Sequence, residues 1–433
     1  MIYKVKNHPK YGIAKHWGKL IGITGGAQLI IQVLGFASGI LIIRLLPLEE
    51  YAFYTLANTM LGTMTMLADG GISTGVMSQG GKVWQDREKL GVILATGLDL
   101  RRKFAIASIL LASPILIYLL LHNGASWLTT ILIVASLIPA FFAALSDSLL
   151  EIVPKLHQNI YPLQKNQVGV GLGRLILTGL TIFIFPWTFV AIFAGGIPRI
   201  YGNINLRKIA DNFIDSKQTT DPIIQKEILI VVKRIMPGAI YYCLSGQITI
   251  WLISLFGNSM SVAQIGAIGR VSLLLGVFTS IFSTLLVPRF ARQKNDYKVL
   301  LNQFLMNVLL LIVICIIIVL VISTFSTQFL WILGKNYKGL DSALILNTVG
   351  SCLALITGLL FSLSSSRGWL MNPYIYIVAN LISIVIGILL FDISNLIGIL
   401  WFNIFISIIQ VIIYGSYTLF KIHKIRSILF NNF

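Results

Sequence analysis

Residues 167–184 read Gln-Val-Gly-Val-Gly-Leu-Gly-Arg-Leu-Ile-Leu-Thr-Gly-Leu-Thr-Ile-Phe-Ile, eighteen positions with a single charge, Arg174. As a helix, such a run approaches the length needed to cross about 30 Å of hydrocarbon. Comparable runs recur in both directions along the chain. Its 433 residues are 56% hydrophobic and 11% charged, with a mean hydropathy of +0.87. Soluble domains carry roughly 25% charged residues. A membrane β-barrel needs short alternating segments, whereas these runs are continuous. The sequence therefore predicts an all-α polytopic membrane protein.

Twelve spans are predicted, at 18–43, 51–79, 104–121, 127–150, 167–184, 187–205, 235–256, 262–288, 300–323, 341–363, 371–391 and 395–420. With the amino terminus placed in the cytoplasm, 27 of the 33 Lys and Arg fall in cytoplasmic segments. Only Arg44, Lys335 and Lys338 fall outside, and Arg174, Arg199 and Arg270 lie within spans. This asymmetry follows the positive-inside rule and predicts that both termini are cytoplasmic. The net charge of +18 thus reports topology and gives no reason to invoke nucleic acid. The basic lead (Lys4, Lys6, Lys10, Lys15, Lys19) precedes an apolar run too long for a signal-peptide core, so it reads as the start of the first span.

The longest hydrophilic stretch follows the sixth span. It predicts an N-terminal six-helix bundle over 1–205, a cytoplasmic linker over 206–234 and a C-terminal six-helix bundle over 235–433. Because six is even, both halves enter the membrane in the same direction, which implies a pseudo-two-fold axis along the membrane normal. Tyr54 to Asn58 and Gly266 to Arg270 each follow a short polar hairpin, an offset of 212 that sets Arg270 in the place of Asn58.

A guanidinium keeps its proton, so at membrane depth it must face water, a counter-charge or an anion. Placing one there costs roughly 2.5–3.5 kcal/mol or more, and so marks a pathway or a site. Arg174 and Arg270 are each read about two turns into a span. Arg199 is read nearer a cytoplasmic end, where a long side chain can also snorkel to the headgroups. Together they predict a cationic lumen in which planar guanidinium forks engage phosphate oxygens. Asp69 and Asp147 are the acids well inside spans. Asp69, before paired glycines, is read either as a local cap or as an ion-coupling group. Asp147, one turn from Glu151, is read as an arginine partner or as a proton carrier. Asp99, beside Arg101, Arg102 and Lys103, reads as a solvated counter-charge.

Gly169 and Gly173 satisfy GxxxG, a spacing that lets helices approach closely. Gly195, Gly196 and Pro198 interrupt the sixth span just before Arg199, and Pro114 lies in the third. Cys243, Cys315 and Cys352 are odd in number and set in apolar runs, which predicts packing residues with neither a disulfide nor a metal. His8, His16, His122, His157 and His423 are scattered, and no phosphate-binding loop follows a strand. The sequence therefore predicts neither an enzyme nor a cofactor. Trp127, Trp187, Tyr201 and Trp251 read as interfacial anchors; Tyr241 and Tyr242 read as packing aromatics or as a platform for sugar.

The run Ile42 to Tyr54 (Ile-Ile-Arg-Leu-Leu-Pro-Leu-Glu-Glu-Tyr-Ala-Phe-Tyr), followed by Leu67-Ala68-Asp69-Gly70-Gly71-Ile72, resembles the first two helices of Wzx-type polysaccharide exporters in the MATE-like flippase superfamily. Ala263 to Arg270 leading to Leu286 through Arg292, and Leu333 to Tyr337, fit the same pattern. The resemblance implies two six-helix bundles around a cavity that opens alternately to either face. It further implies transport of an undecaprenyl-diphosphate-linked oligosaccharide from the inner to the outer leaflet of a bacterial cytoplasmic membrane. Its partners would be that lipid-linked substrate, membrane lipids and the polysaccharide polymerase machinery of O-antigen or capsule synthesis. The alternative is a cation-coupled exporter of the MATE type. Residues 20–43 hold no acid of the kind drug-extruding MATE transporters often carry there, and the peptidoglycan-precursor flippase usually has fourteen spans rather than twelve.

Overall fold

A computed structural model describes residues 9–272, 275–291, 293, 296–369 and 371–430 of the chain. The basic lead (Lys4, Lys6, Lys10, Lys15, Lys19), His8, His16, Tyr242 and Arg292 lie outside the residues whose side chains are described. The chain divides into two compact units, 1–247 and 248–433. The first contains α1 (Pro9–Leu45), α2 (Leu48–Asp69), α3 (Ile72–Gly80), α4 (Arg87–His122), α5 (Trp127–Leu150), α6 (Ile152–Leu156), α7 (Ile160–Ile184) and α8 (Thr188–Asp211). Helix α9 (Pro222–Phe256) runs from the first unit into the second. The second unit continues with α10 (Ser259–Ser272), α11 (Gly276–Ala291), α12 (Tyr297–Thr324), α13 (Ser326–Leu333), α14 (Asp341–Ser366), α15 (Pro373–Leu390) and α16 (Leu396–Phe430).

The protein is all-helical among the described residues, and eight of these helices are long and apolar enough to cross a membrane. The other four predicted spans differ for physical reasons. Helix α2 has 22 residues and α8 has 24, but both carry polar residues along their length. In place of the eighth predicted span, α10 ends at Ser272 and α11 begins at Gly276. Helix α15 is apolar but has only 18 residues. Broken or polar helices are tolerated at membrane depth where they are packed against protein or line a cavity. Along the apolar helices large side chains are exposed, including Leu110, Leu128, Phe183 and Leu389, as a lipid-facing surface requires.

The second predicted span, 51–79, is broken between α2 and α3. Gly70 and Gly71 adopt φ of 46° and 99°, a region that side chains disfavour. A Cβ on Gly71 would also stand 3.0 Å from that of Ile235. Asp69 bridges the break, its Oδ1 accepting from the Ser73 backbone N–H (3.1 Å) and hydroxyl (2.7 Å). At the other end of α2, Glu50 caps α8 by accepting from the Thr188 N–H at 2.7 Å. Anionic groups suit a helix start, where backbone N–H groups lack partners.

Helix α4 begins at Arg87 rather than at 104, so it carries Arg101, Arg102 and Lys103 within a helix. Asp86 caps its start, and the Lys89 backbone N–H holds the Asp86 carboxyl below the usual range. The stretch expected to form a linker over 206–234 is mostly helical, leaving 212–221 between α8 and α9. This connector is docked on the first turns of α4. Arg87 donates to the Asp211 and Ile214 carbonyls, and the Asp215 N–H donates to the Arg87 carbonyl at 3.0 Å. Gly91 makes the docking possible, because a Cβ there would lie 2.3 Å from the Asp215 carbonyl oxygen.

In the second unit, buried apolar residues of α11, α12, α14 and α16 form one core around Leu311, Leu360 and Leu363. Asn347 and Ser351 of α14 reach the end of α10 at Ser272 (both 2.8 Å). Arg367 donates to the Phe290, Ala291 and Gln293 carbonyls at the end of α11, with its guanidinium over the Phe290 and Trp369 rings. Cationic donors are favourable there, because the last carbonyls of a helix lack partners. Cys315 and Cys352 are buried free thiols packed near one another's carbonyls, and Cys243 is likewise buried and free.

Gly91→Val should push the connector off α4 and lower stability by about 1–3 kcal/mol, as overpacking does. Thermal unfolding in detergent measures this. An unchanged melting temperature would show that the connector yields freely.

Candidate functional site

Helices α2, α5, α7 and α8 bring polar side chains to a cavity of about 450 Å³ within the first unit, closed on another side by α1. Tyr54, Asn58, Asp147, Glu151, Arg174 and Arg199 all line it. The sequence thus placed four of its six candidate residues around one cavity: Asn58, Asp147, Arg174 and Arg199. Asp69 lines a neighbouring cavity of about 560 Å³, which shares Asn58, Ser148 and Arg199 with the first. Arg270 is half-buried in the last turn of α10, in the second unit.

Close helix contacts set the site's walls. Gly196 lets α8 approach Ala140 of α5, where a Cβ would stand 3.2 Å from the alanine Cβ. At Gly202 a Cβ would meet a Val170 methyl at 2.2 Å. Gly173 packs on Pro198, while Gly169 faces open space, so only one end of the predicted GxxxG makes a close contact. Gly195 leaves room for Arg174, whose Nε lies 3.5 Å from where a Cβ would be.

Arg174 is the fifteenth residue of α7, which begins at Ile160 rather than at 167. It therefore lies deeper along its helix than the sequence suggested. Its Nη2 donates to the Tyr54 hydroxyl at 3.3 Å. Its Nε is buried without a hydrogen-bond partner, and no carboxylate forms an ion pair with it among the described residues.

Arg199 sits at the middle of α8, not near its end. Its Nε donates to Asp147 Oδ2 at 3.3 Å, an answer to the guanidinium other than snorkelling. Asp147 Oδ1 accepts from Asn203 Nδ2 at 2.6 Å. Glu151 accepts from Lys155 Nζ and Gln167 Nε2, each at 2.7 Å. Both acids of the first cavity are thus held by protein donors.

A third guanidinium was not singled out from the sequence. Arg101 was counted among the cytoplasmic charges, yet its side chain is only 4% exposed and pairs with the Asp69 carboxylate. It also donates to the Leu145 carbonyl at 2.7 Å, to Ser148 Oγ and to Ser73 Oγ. A periodic signal was present: Leu90, Leu94, Gly97, Arg101, Ala105, Ser108 and Ala112 recur every three or four residues, and all are buried. That seam faces the protein. Asp99 makes an exposed pair with Lys103 at 2.7 Å, as a solvated counter-charge would. Tyr241 is 8% exposed and offers no open ring face for a sugar. No cluster able to hold a metal ion occurs among the described residues.

No protein-family model and no curated protein sequence matches the chain. Solved structures do match in shape. An inward-facing multidrug resistance MATE family transporter of the MOP superfamily aligns with a TM-score of 0.71 at 15% identity, covering 92% of this chain and 96% of the other. An outward-facing structure of a MATE family transporter gives 0.65 at 16%, covering 98% of each. The lipid II flippase MurJ gives 0.69 at 16%, covering 92% of this chain and 87% of the other. These similarities show the fold alone, an all-helical, MATE-like arrangement.

Asp69→Asn should destabilise the protein more than Arg101→Gln. The first leaves a buried permanent cation unanswered, a loss of about 3–5 kcal/mol. The second leaves a carboxylate that is 31% exposed and still bonded to Ser73. Unfolding temperatures in detergent rank the two variants, and the reverse order would mean that Arg101 is answered by its other partners alone.

Proposed function

We propose that this protein is a flippase, moving an undecaprenyl-diphosphate-linked oligosaccharide repeat unit from the inner to the outer leaflet of a bacterial cytoplasmic membrane by alternating access. The observation that carries this reading is Arg174, a cation facing the cavity with no carboxylate partner among the described residues. A permanent charge in that position favours an anionic ligand. Arg199 and Asn58 line the same cavity and supply further donors. The diphosphate settles on these groups; Arg270, in the second unit, is a separate basic group for the anionic cargo. Glu151, Gln167 and Asn166 add acceptors and donors suited to sugar hydroxyls. The prenyl tail stays in the bilayer.

The fold shared with a lipid II flippase supports a lipid-linked cargo. Both termini lie in the cytoplasm on this reading, and the exported unit is an O-antigen or capsule precursor that passes to a polymerase. The chain itself performs no chemistry. Asp147, which lines the same cavity as Arg174, and Asp69, in the neighbouring cavity, are the acids proposed for ion coupling.

The second reading, a cation-coupled exporter, is favoured by the shape match to multidrug resistance transporters. Arg174 opposes it, because a cationic drug would meet a like charge that no carboxylate pairs among the described residues.

Mass spectrometry of lipid-linked glycans from a deletion strain tests the assignment. Accumulated undecaprenyl-diphosphate repeat units with loss of surface polymer are expected. Unchanged intermediates together with new sensitivity to cationic drugs would move the protein to the exporter class. In complemented strains at matched expression, Arg174→Ala and Arg270→Ala should reduce surface polymer far more than the corresponding Lys variants.

A further inference from the structure

We infer that Asp147 is a built-in competitor for the substrate's second phosphate, an inference that rests on the anionic-cargo reading above. Arg174 and Arg199 line the same cavity along α8. The Arg174 Nε stands against Gly195, and Arg199 follows four residues later, about 6 Å along the helix axis. Two neighbouring anionic groups of one headgroup can therefore address both guanidiniums.

The two cations are unequal. No carboxylate contests Arg174 among the described residues, and its buried Nε lacks an acceptor. Arg199 is already neutralised, but by one contact of 3.3 Å from its Nε. Its terminal amino groups make no hydrogen bond among the described residues, and the side chain is 40% exposed. Asp147 is held from its other side by Asn203 at 2.6 Å, so its charge stays beside Arg199. The neighbouring acid, Glu151, is engaged by Lys155 and Gln167.

A phosphate arriving at Arg199 thus meets a fork with free donors and a fixed like charge behind it. Like-charge juxtaposition in a partly dehydrated site weakens binding strongly. One phosphate binds Arg174 uncontested, and a second gains Arg199 only against Asp147. The carboxylate keeps affinity for the diphosphate moderate, as a carrier needs if it is to release its cargo.

The sign of one substitution decides the matter. Purified protein in detergent would be titrated with geranyl diphosphate and geranyl monophosphate by calorimetry. Asp147→Asn should tighten diphosphate binding about tenfold or more by removing the like charge. Monophosphate binding, led by Arg174, should change by less than about threefold on the same argument. Arg199→Gln added to Asp147→Asn should erase the gain. Melting temperatures within a few degrees of wild type show that the variants are folded.

If wild type binds diphosphate and Asp147→Asn binds it no better or more weakly, Asp147 only positions Arg199. The competition is then overturned, while the anionic-cargo reading stands. If neither wild type nor Asp147→Asn binds either probe, both fall.

Discussion

A guanidinium inside a bilayer has to be answered, and the way this chain answers two of them, Arg101 and Arg199, organises the first unit. The answers converge on one stretch of α5, Leu145 to Ser148. The Leu145 carbonyl and the Ser148 hydroxyl receive Arg101 from α4. Ser146 and Asp147 receive Asn203, and Asp147 receives Arg199, from α8. Asp69 and Ser73, across the α2–α3 break, complete the shell of Arg101. Five helices are thus tied through four consecutive residues. Breaking such a network from one side leaves a buried charge uncompensated, so these helices are held in register by the cost of exposing their own arginines to hydrocarbon. Arg174 lies outside that clasp, and its charge faces the cavity with no carboxylate partner among the described residues.

Helix content and membrane character were legible because they follow from run length and composition, which act locally. Arg174, Arg199, Asn58 and Asp147 were legible as candidates because a polar group in an apolar run has few physical explanations. Their convergence was not legible, since it depends on which glycines let which helices approach. Gly195 and Gly196 read from sequence as an interruption of α8, yet they are contact points against α7 and α5. Arg101 was missed for a related reason. Its neighbours Arg102 and Lys103 made a charge cluster that reads as solvated, and hydropathy averages over a helix without regard to its faces. Only the seam from Leu90 to Ala112 separates Arg101 from the two lysine-like positions beside it. Helix ends were also misplaced, because α4, α7 and α9 continue past the apolar runs that predicted them.

Glycine has two distinct uses in the first unit. At Gly70 and Gly71 it supplies backbone angles that let α2 stop and α3 restart while Asp69 covers the exposed N–H groups. At Gly91, Gly196 and Gly202 the angles are ordinary and the missing side chain is what matters, because another backbone or a branched side chain occupies its place. The first use fixes a direction of the chain and the second fixes a distance between elements. A cavity wall made by the second kind is narrow and stiff, which suits a site that must hold two cations in fixed positions.

Arg367 draws out a last point. In the sequence it is one unit in a tally of positive charge, interchangeable with any lysine. In the folded protein its Nη1 closes the end of α11, and two aromatic rings lie against its guanidinium. The two demands act at different times: charge is read while helices are being inserted, and shape only after they have packed. A lysine would pass the first reading and fail the second. Loop arginines of polytopic proteins therefore divide into those that orient the chain once and those that go on holding it, and only the latter should resist exchange for lysine.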